Sequence, residues 1–251
     1  MNLILITLQE CQAPGRCTLS DARAAHLRTF LHAAPGSTFR VGLVDGPVGV
    51  ATVEAVEGEQ VRFTFACSEA APAPWYDLVL ALPRPRSLRR ILFQSAAMGV
   101  RRIWLTGAAK VEKSYFSMHL LREAEYRPIL LEGLMQGCAT AMPELTVVPR
   151  FRDLFDLLPA ASTLRILANP APDGAPLPLS ARGTEAVQPL IAVGPDGGWS
   201  AQENEAFLAH GFTPFSLGPR PLRTDTAAVA LAAVVRDRLV CQGLLCEGGA
   251  R

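Results

Sequence analysis

The sequence predicts an α/β protein: a small β-rich domain, then a larger domain built on a mostly parallel sheet. Two observations carry that prediction. Residues 38–66 contain "TFRVGLVDG" and "GVATVEAVEGEQVRFTFA", where apolar and polar positions alternate around glycine turns. Short alternating strands of this kind make a small barrel or sandwich. From residue 76 the rhythm changes to continuous apolar runs, "YDLVLAL", "RRIWLTG", "LRILANP" and "PLIAVGP", spaced by helical stretches. Strand–helix alternation with runs apolar on both faces builds a buried parallel sheet.

The elements follow in order. "SDARAAHLRTFLHA" reads as a short helix capped by Ser20 or Asp21, preceding the alternating strands. "CSEAAPAPW" is Ala/Pro-rich and patternless, so the first domain spans 1–70, a linker 71–76 and the second domain 77–251. In "RSLRRILFQSAAMG", Leu88, Ile91, Leu92, Ser95 and Ala96 recur at helical spacing and Gly99 stops the helix. Then come a long helical stretch at 114–138, the strand "LTVVP" and a short helix at 151–158. Ser200 and Glu203 form a capping box at a helix start, and "FTPFSLG" is a last short strand. Residues 224–241 form a nearly all-apolar helix expected to be buried on most of its faces.

Composition bounds the function. The chain has 251 residues, 49% of them hydrophobic and 19% charged, an ordinary globular balance. "MNLILITLQE" is too short for a signal segment, and "TAAVALAAVV" ends at Arg236, well short of a membrane span. A cytoplasmic location without membrane attachment is expected. The six cysteines show no CxxC and the four histidines are scattered, so reduced thiols and no metal site are expected. Net charge is +1, yet residues 75–160 carry twelve Lys/Arg against eight acids. Arg84, Arg86, Arg89, Arg90, Arg101 and Arg102 lie in a stretch without an acid between Asp77 and Glu112. That stretch is either a phosphate-binding patch or a solvated helix face.

Three strand ends turn sharply on Pro or Gly: "LANPAPDG" (167–174), "VGPDGGWS" (193–200) and "LGPRPLRTDTA" (217–227). No GxGxxG or GxxxxGK[ST] is present, so neither a dinucleotide fold nor a P-loop is indicated. Gly194, Gly197 and Gly198 would let backbone groups touch a ligand, and helix starts at Ser200 and at Thr224–Asp225 offer positive dipole ends. The loops are either a backbone-lined pocket or plain tight turns.

"GPDGGWSAQE" followed by "LGPRPLRTDTAAVAL" resembles the paired signatures of the RsmE family, SPOUT-class methyltransferases acting on N3 of a uridine in 16S rRNA. Upstream, "LALPRPRSLRRILFQSAAMGVRRIWLTGAAKVEKSY" is similar to that family's first strand, helix and strand, and "HLRTFLHAAPGSTFRVGLVDG" to its PUA-like barrel. The resemblance covers nearly the whole chain. It implies a trefoil-knotted SPOUT domain, an exception to the rule that chains avoid knots, behind the PUA-like barrel. It also implies S-adenosyl-L-methionine as cofactor, held by Leu167, Val193, Gly194, Pro195, Gly197, Gly198, Leu217, Gly218, Leu222, Thr226 and Ala227. By the same resemblance the partners are 16S rRNA or the small ribosomal subunit, contacted by Arg84, Arg86, Arg89, Arg90 and Arg220, and a second copy joined through the C-terminal helix. On that reading the loop at 194–198 is bare because the cofactor lies against it.

Methyl transfer to a ring nitrogen requires in-line positioning, and the uracil N3 proton must leave. Arg223 is a catalytic candidate that cannot be the base; its guanidinium suits a uracil anion or a phosphate. Asp225 is a candidate base or a helix cap, and Asp196 a candidate base or a loop cap. The chain departs from the family pattern at Gln94, Ala97, His32 and Cys138 or Ala139, positions suited to RNA or partner contact. The rival reading is a SPOUT-fold RNA-binding protein with another RNA target or without turnover.

Overall fold

The computed structural model describes residues 2–159, 164–169 and 188–245. The chain divides into two compact units, one drawn from Met1–Ala73 and Leu131–Met142, the other from Pro74–Leu130 and Pro143–Arg251. Residues 131–142 fall in the second half of the sequence but keep company with the first unit. Asn2 and Leu3 donate to the Met135 carbonyl, Asp45 N–H to the Thr140 carbonyl, and Met142 N–H to Asp45 Oδ1. None of these partners is adjacent in sequence, which is why a boundary read from composition leaves the segment out.

The first unit holds one six-stranded sheet. Its strands are β1 (Ile4–Ile6), β2 (Cys11–Ala13), β3 (Arg16–Leu19), β4 (Thr38–Leu43), β5 (Val48–Glu57) and β6 (Gln60–Glu69), in the order β1-β4-β5-β6-β3-β2. The alternation seen in sequence is real: Val61 and Phe63 are buried while Gln60 and Arg62 face out. Helix α1 (Ala22–Thr29) is capped by Asp21, whose carboxylate accepts from Arg23 N–H. Arg23 also bridges to Glu10, and its guanidinium holds both carboxyls below their ordinary range even though burial acts against that.

The second unit holds a six-stranded, wholly parallel sheet in the order β12-β10-β11-β7-β8-β9. The strands are β7 (Tyr76–Ala81), β8 (Val100–Thr106), β9 (Glu144–Val148), β10 (Leu164–Ala168), β11 (Pro189–Val193) and β12 (Thr213–Phe215). β7 and β11 are buried along their full length, as continuous apolar runs require. Helix α2 (Pro85–Ala97) buries the residues its periodicity selected: Leu88, Ile91, Leu92, Ser95 and Ala96. Gly99 takes φ +86°, the left-handed turn that ends it. Helices α4 (Ala201–Ala209) and α5 (Thr224–Cys241) begin where the sequence placed them.

Three expectations change. The helix expected at 114–138 begins only with α3 (Glu123–Gly137); residues 113–117 and 119–121 are 3₁₀ turns. Ser, Tyr, Phe and His, which populate that stretch, are indifferent helix formers. The short helix at 151–158 is likewise two 3₁₀ turns, which bury Leu154 between them. Finally, α5 buries one stripe, Thr224, Ala228, Leu231, Ala232, Val235 and Leu239, rather than most of its circumference. One chain supplies packing partners for that stripe alone, chiefly α2 and β11. No described helix is long and apolar enough to cross a membrane.

Candidate functional site

The C-terminal ends of β10, β11 and β12 open into a cleft of about 210 Å³. It is lined by Ala168 and Asn169 at the end of β10, by 193–198 at the end of β11, by Phe215, Leu217, Gly218 and 220–222 at the end of β12, and by Thr224, Ala227 and Leu231 of α5. In parallel α/β sheets ligands sit at these ends. Of the cofactor residues named from the sequence, Val193, Gly194, Pro195, Gly197, Gly198, Leu217, Gly218, Leu222 and Ala227 meet here. Leu167 and Thr226 do not line the cleft. Leu167 is fully buried in the core and strand alternation sends its neighbour Ala168 to the cleft instead, while Thr226 faces solvent. Residues 170–174 of the first loop, and Cys246, lie outside the described residues.

The bareness of the loop at 194–198 has local causes. A Cβ on Gly194 would lie 3.1–3.3 Å from the Trp199 ring, and one on Gly197 2.9 Å from Lys110 Cδ. Gly198 takes φ +67° to close the turn in which its N–H donates to the Pro195 carbonyl. Trp199 is fixed in turn against Phe207 and Phe151, at ring distances of 4.8 and 5.8 Å. A side chain at Gly194 would press on the fixed Trp199 ring and one at Gly197 would displace Lys110, while Gly198 is favoured by its left-handed φ rather than by packing.

Two tethers hold this loop. Asp196 Oδ1 accepts from Thr224 N–H at 3.3 Å and from Thr224 Oγ1 at 3.0 Å, and that hydroxyl also lies 3.1 Å from the Gly194 carbonyl. The residue before α5, Arg223, offers no side-chain cap, so Asp196 caps α5 from another loop. On the other side Lys110 Nζ donates to the Gly197 carbonyl at 2.6 Å. Glu203, buried, completes the capping box with Ser200 and also accepts from Ala109 N–H at 2.6 Å. Of these residues, Glu203 carries a local sequence signal as a cap and Thr224 as a helix start, whereas Lys110 carries none.

The arginines divide into two groups. Arg101 and Arg102 both grip Asp77, which is wholly buried in β7, at 2.7 and 2.8 Å. They neutralise a buried carboxylate, so they leave the basic patch read from the sequence. Arg84, Arg86 and Arg89 are exposed, and no carboxylate pairs with them among the described residues. Arg90 reaches from α2 to Asp225 at 2.6 Å. Arg223 is two-thirds exposed and lies 3.6 Å from the same carboxylate, which is itself only 11% exposed. Arg220 stands in the cleft wall.

Apolar side chains dominate the rim. Leu217 and Leu222 are 37% and 41% exposed, unusual for large apolar residues that touch one cavity. With Phe215, Val193 and Ala227 they offer surface for a flat apolar body, while Asn169, Asp196, Arg220 and the glycine backbone supply polar contacts. Among the described residues no group of His, Cys, Asp and Glu could hold a metal ion. His32 and Cys138, two of the departures from the family pattern, take left-handed φ of 48° and 54°. Nothing in the structure explains a non-glycine residue at either position.

Comparison with known proteins adds a second line. Residues 71–236 match the RNA methyltransferase domain family. A ribosomal RNA small subunit methyltransferase E from Treponema pallidum (strain Nichols) is 30% identical, the match covering 94% of this chain and 90% of the relative. A ribosomal RNA small subunit methyltransferase E 1 from Borreliella burgdorferi is 23% identical, over 96% of this chain and 99% of the relative. Among solved structures, a ribosomal RNA small subunit methyltransferase E from Neisseria gonorrhoeae bound to S-adenosyl methionine superposes with a TM-score of 0.72 at 21% identity, covering 94% and 98%.

Proposed function

The chain belongs to the ribosomal RNA small subunit methyltransferase E family of RNA methyltransferases, and on that premise we propose that it methylates N3 of a uridine in 16S rRNA, using S-adenosyl-L-methionine. The observation that carries the reading is the cleft: the family's two C-terminal signatures, 193–200 and 217–227, converge there with nine of the cofactor residues named from the sequence. The cofactor fits its chemistry. Leu217, Leu222, Phe215 and Val193 suit the adenine, and Asp196, Arg220 and the glycine-loop backbone suit the polar ends.

S-adenosylmethionine supplies an electrophilic methyl group on a sulfonium. The protein contributes position: the loop at 194–198, tied to α5 by Asp196 and to the β8 loop by Lys110, presents a fixed wall. Arg223, exposed at the start of α5, would hold the uracil as its N3 proton passes to solvent water and the methyl group takes its place, or would hold an adjoining phosphate. Asp225 serves as a positioning residue: Arg90 engages it at 2.6 Å, and it lies 3.6 Å from the Arg223 guanidinium that it orients. Arg84, Arg86, Arg89 and Arg220 meet RNA phosphates in 16S rRNA or the small subunit.

The first unit serves as a PUA-like barrel, a role supported by its long, bulged β5–β6 pair. The second forms a SPOUT trefoil knot. Its support is the path of the chain: β12 pairs β10 on the side away from β11, yet α5 starts against the β11 loop and packs on α2. A second copy docks on α5, where Val229, Ala230, Ala233 and Val234 lie outside the buried stripe and are incompletely covered.

The test is methyl transfer from labelled S-adenosylmethionine to small ribosomal subunits lacking the modification, with nucleosides separated by mass spectrometry. The proposal predicts 3-methyluridine, lost in Arg223→Ala. Label in another nucleoside overturns the N3 assignment, and no incorporation overturns the activity.

A further inference from the structure

A second cleft, about 470 Å³, opens where β8 and β9 end, and the mechanism above makes no use of it. Phe116, Phe151 and Pro149 line it together with Lys113 and the backbone of 107–109. The loops after β8 and β9 meet closely here: a Cβ on Gly107 would lie 2.2 Å from the Pro149 carbonyl oxygen. Phe151 is a fixed platform, held edge-on by Phe155 and Phe207 at 5.4 Å each, yet it remains partly open to solvent, as does Phe116.

The surroundings are cationic. Lys113 is in the lining, Lys110 follows Ala109, and Arg150 and Arg152 flank Phe151. These four outnumber the nearby carboxylates, Glu112, Asp153 and Glu203. Asp153 engages Arg150 at 2.6 Å and Arg152 at 3.6 Å, and Glu112 accepts from the Tyr115 hydroxyl. Among the described residues no carboxylate pairs with Lys110 or Lys113. The segment lining this cleft also braces the first one. Ala109 N–H is fixed by Glu203, and Lys110 holds the Gly197 carbonyl.

Partly exposed aromatic rings beside ammonium groups that no carboxylate neutralises are what a single nucleic-acid strand requires: the base stacks and the phosphate meets the cation. We infer that the second cleft receives a nucleobase neighbouring the methylated uridine, stacked against Phe116 and Phe151, with its phosphate on Lys113. The inference rests on the RNA-methyltransferase reading. It makes the 107–116 segment a substrate-positioning wall shared by both clefts.

The probe is a fluorescein-labelled single-stranded RNA nonamer with a central uridine, titrated by anisotropy at fixed salt into the full chain loaded with S-adenosylmethionine. Phe116→Ala is expected to weaken RNA binding ~5- to 150-fold, the range for losing one base–aromatic stack. Lys113→Glu, a surface change without folding risk, is expected to weaken it at least ~5-fold by opposing a phosphate. Cofactor affinity should stay at the wild-type value in both. RNA affinity within twofold of wild type in both variants, while the wild type methylates small subunits, overturns the subsite alone. A wild type that neither binds RNA nor transfers methyl groups overturns the reading beneath it as well.

Discussion

Two arginine runs that look alike in the sequence have opposite fates in the fold. Arg101 and Arg102 lie on β8 beside a strand that buries Asp77 completely, and both close on that carboxylate. Arg84, Arg86 and Arg89 sit at the start and on the outer face of α2, exposed and paired with no carboxylate among the described residues. Charge density alone did not separate them. What separates them is the neighbouring strand: β7 pairs β8 with Asp77 opposite Arg102, so burial of the acid dictates the use of both arginines. A basic patch is therefore evidence of RNA binding only after the buried acids have claimed their partners.

The largest effect sharpens that contrast. Replacing Arg101 and Arg102 together by Ala leaves Asp77 buried and uncompensated, which should cost about 3–5 kcal/mol of unfolding free energy in a denaturant titration. Replacing Arg86 and Arg89 together should change stability by no more than about 0.5 kcal/mol. Equal losses in the two double variants would erase the distinction.

A second contrast lies within the cleft, between what packing demands and what a ligand demands. Gly194→Ala drives a methyl group into the Trp199 ring and should destabilise by about 1–3 kcal/mol even without cofactor. Asp196→Ala removes the cap of α5 and should cost about 0.5–2 kcal/mol. If either variant keeps wild-type stability and loses only cofactor binding, the glycine loop is shaped by its ligand rather than by its neighbours.

Smaller still is the functional counterpart of the first contrast. In RNA titrations, each phosphate that Arg84→Ala or Arg89→Ala leaves without its cation should lower the slope of log affinity against log salt by about 0.7–0.9. Arg102→Lys, which keeps the charge at Asp77, should leave the slope unchanged.

The mildest effect compares the two units through pH. Glu10 and Asp21 are held below their ordinary range, chiefly by Arg23 acting against burial. A carboxyl with a lowered folded value stabilises fully above its unfolded value, about 4, and that stabilisation fades as pH falls through the folded one. Thermal unfolding of the first unit should therefore move down as pH falls below about 5. Arg23→Ala should flatten the dependence.

Much of the second unit was legible because each of its signals is local. Continuous apolar runs marked β7 and β11, five buried positions marked α2, and Ser200 with Glu203 marked the start of α4. The cleft was legible through two loop signatures. What escaped depends on tertiary partners: Asp196 capping α5, Lys110 reaching Gly197, and residues 131–142 joining the first unit. The all-apolar reading of α5 went astray for a related reason, since hydrophobicity reports what could be buried and one chain buries a single stripe.

The central claim is that the cleft at the ends of β10, β11 and β12 holds S-adenosylmethionine. Ala227 lines that cleft from α5 and lies outside the buried stripe, so Ala227→Phe should fill the space while leaving the fold intact. The most direct measurement is calorimetric titration of S-adenosylmethionine into the wild type and this variant. Saturable binding by the wild type, abolished in Ala227→Phe at unchanged unfolding temperature, is the predicted result. Equal binding by both proteins, or none by the wild type, would contradict it.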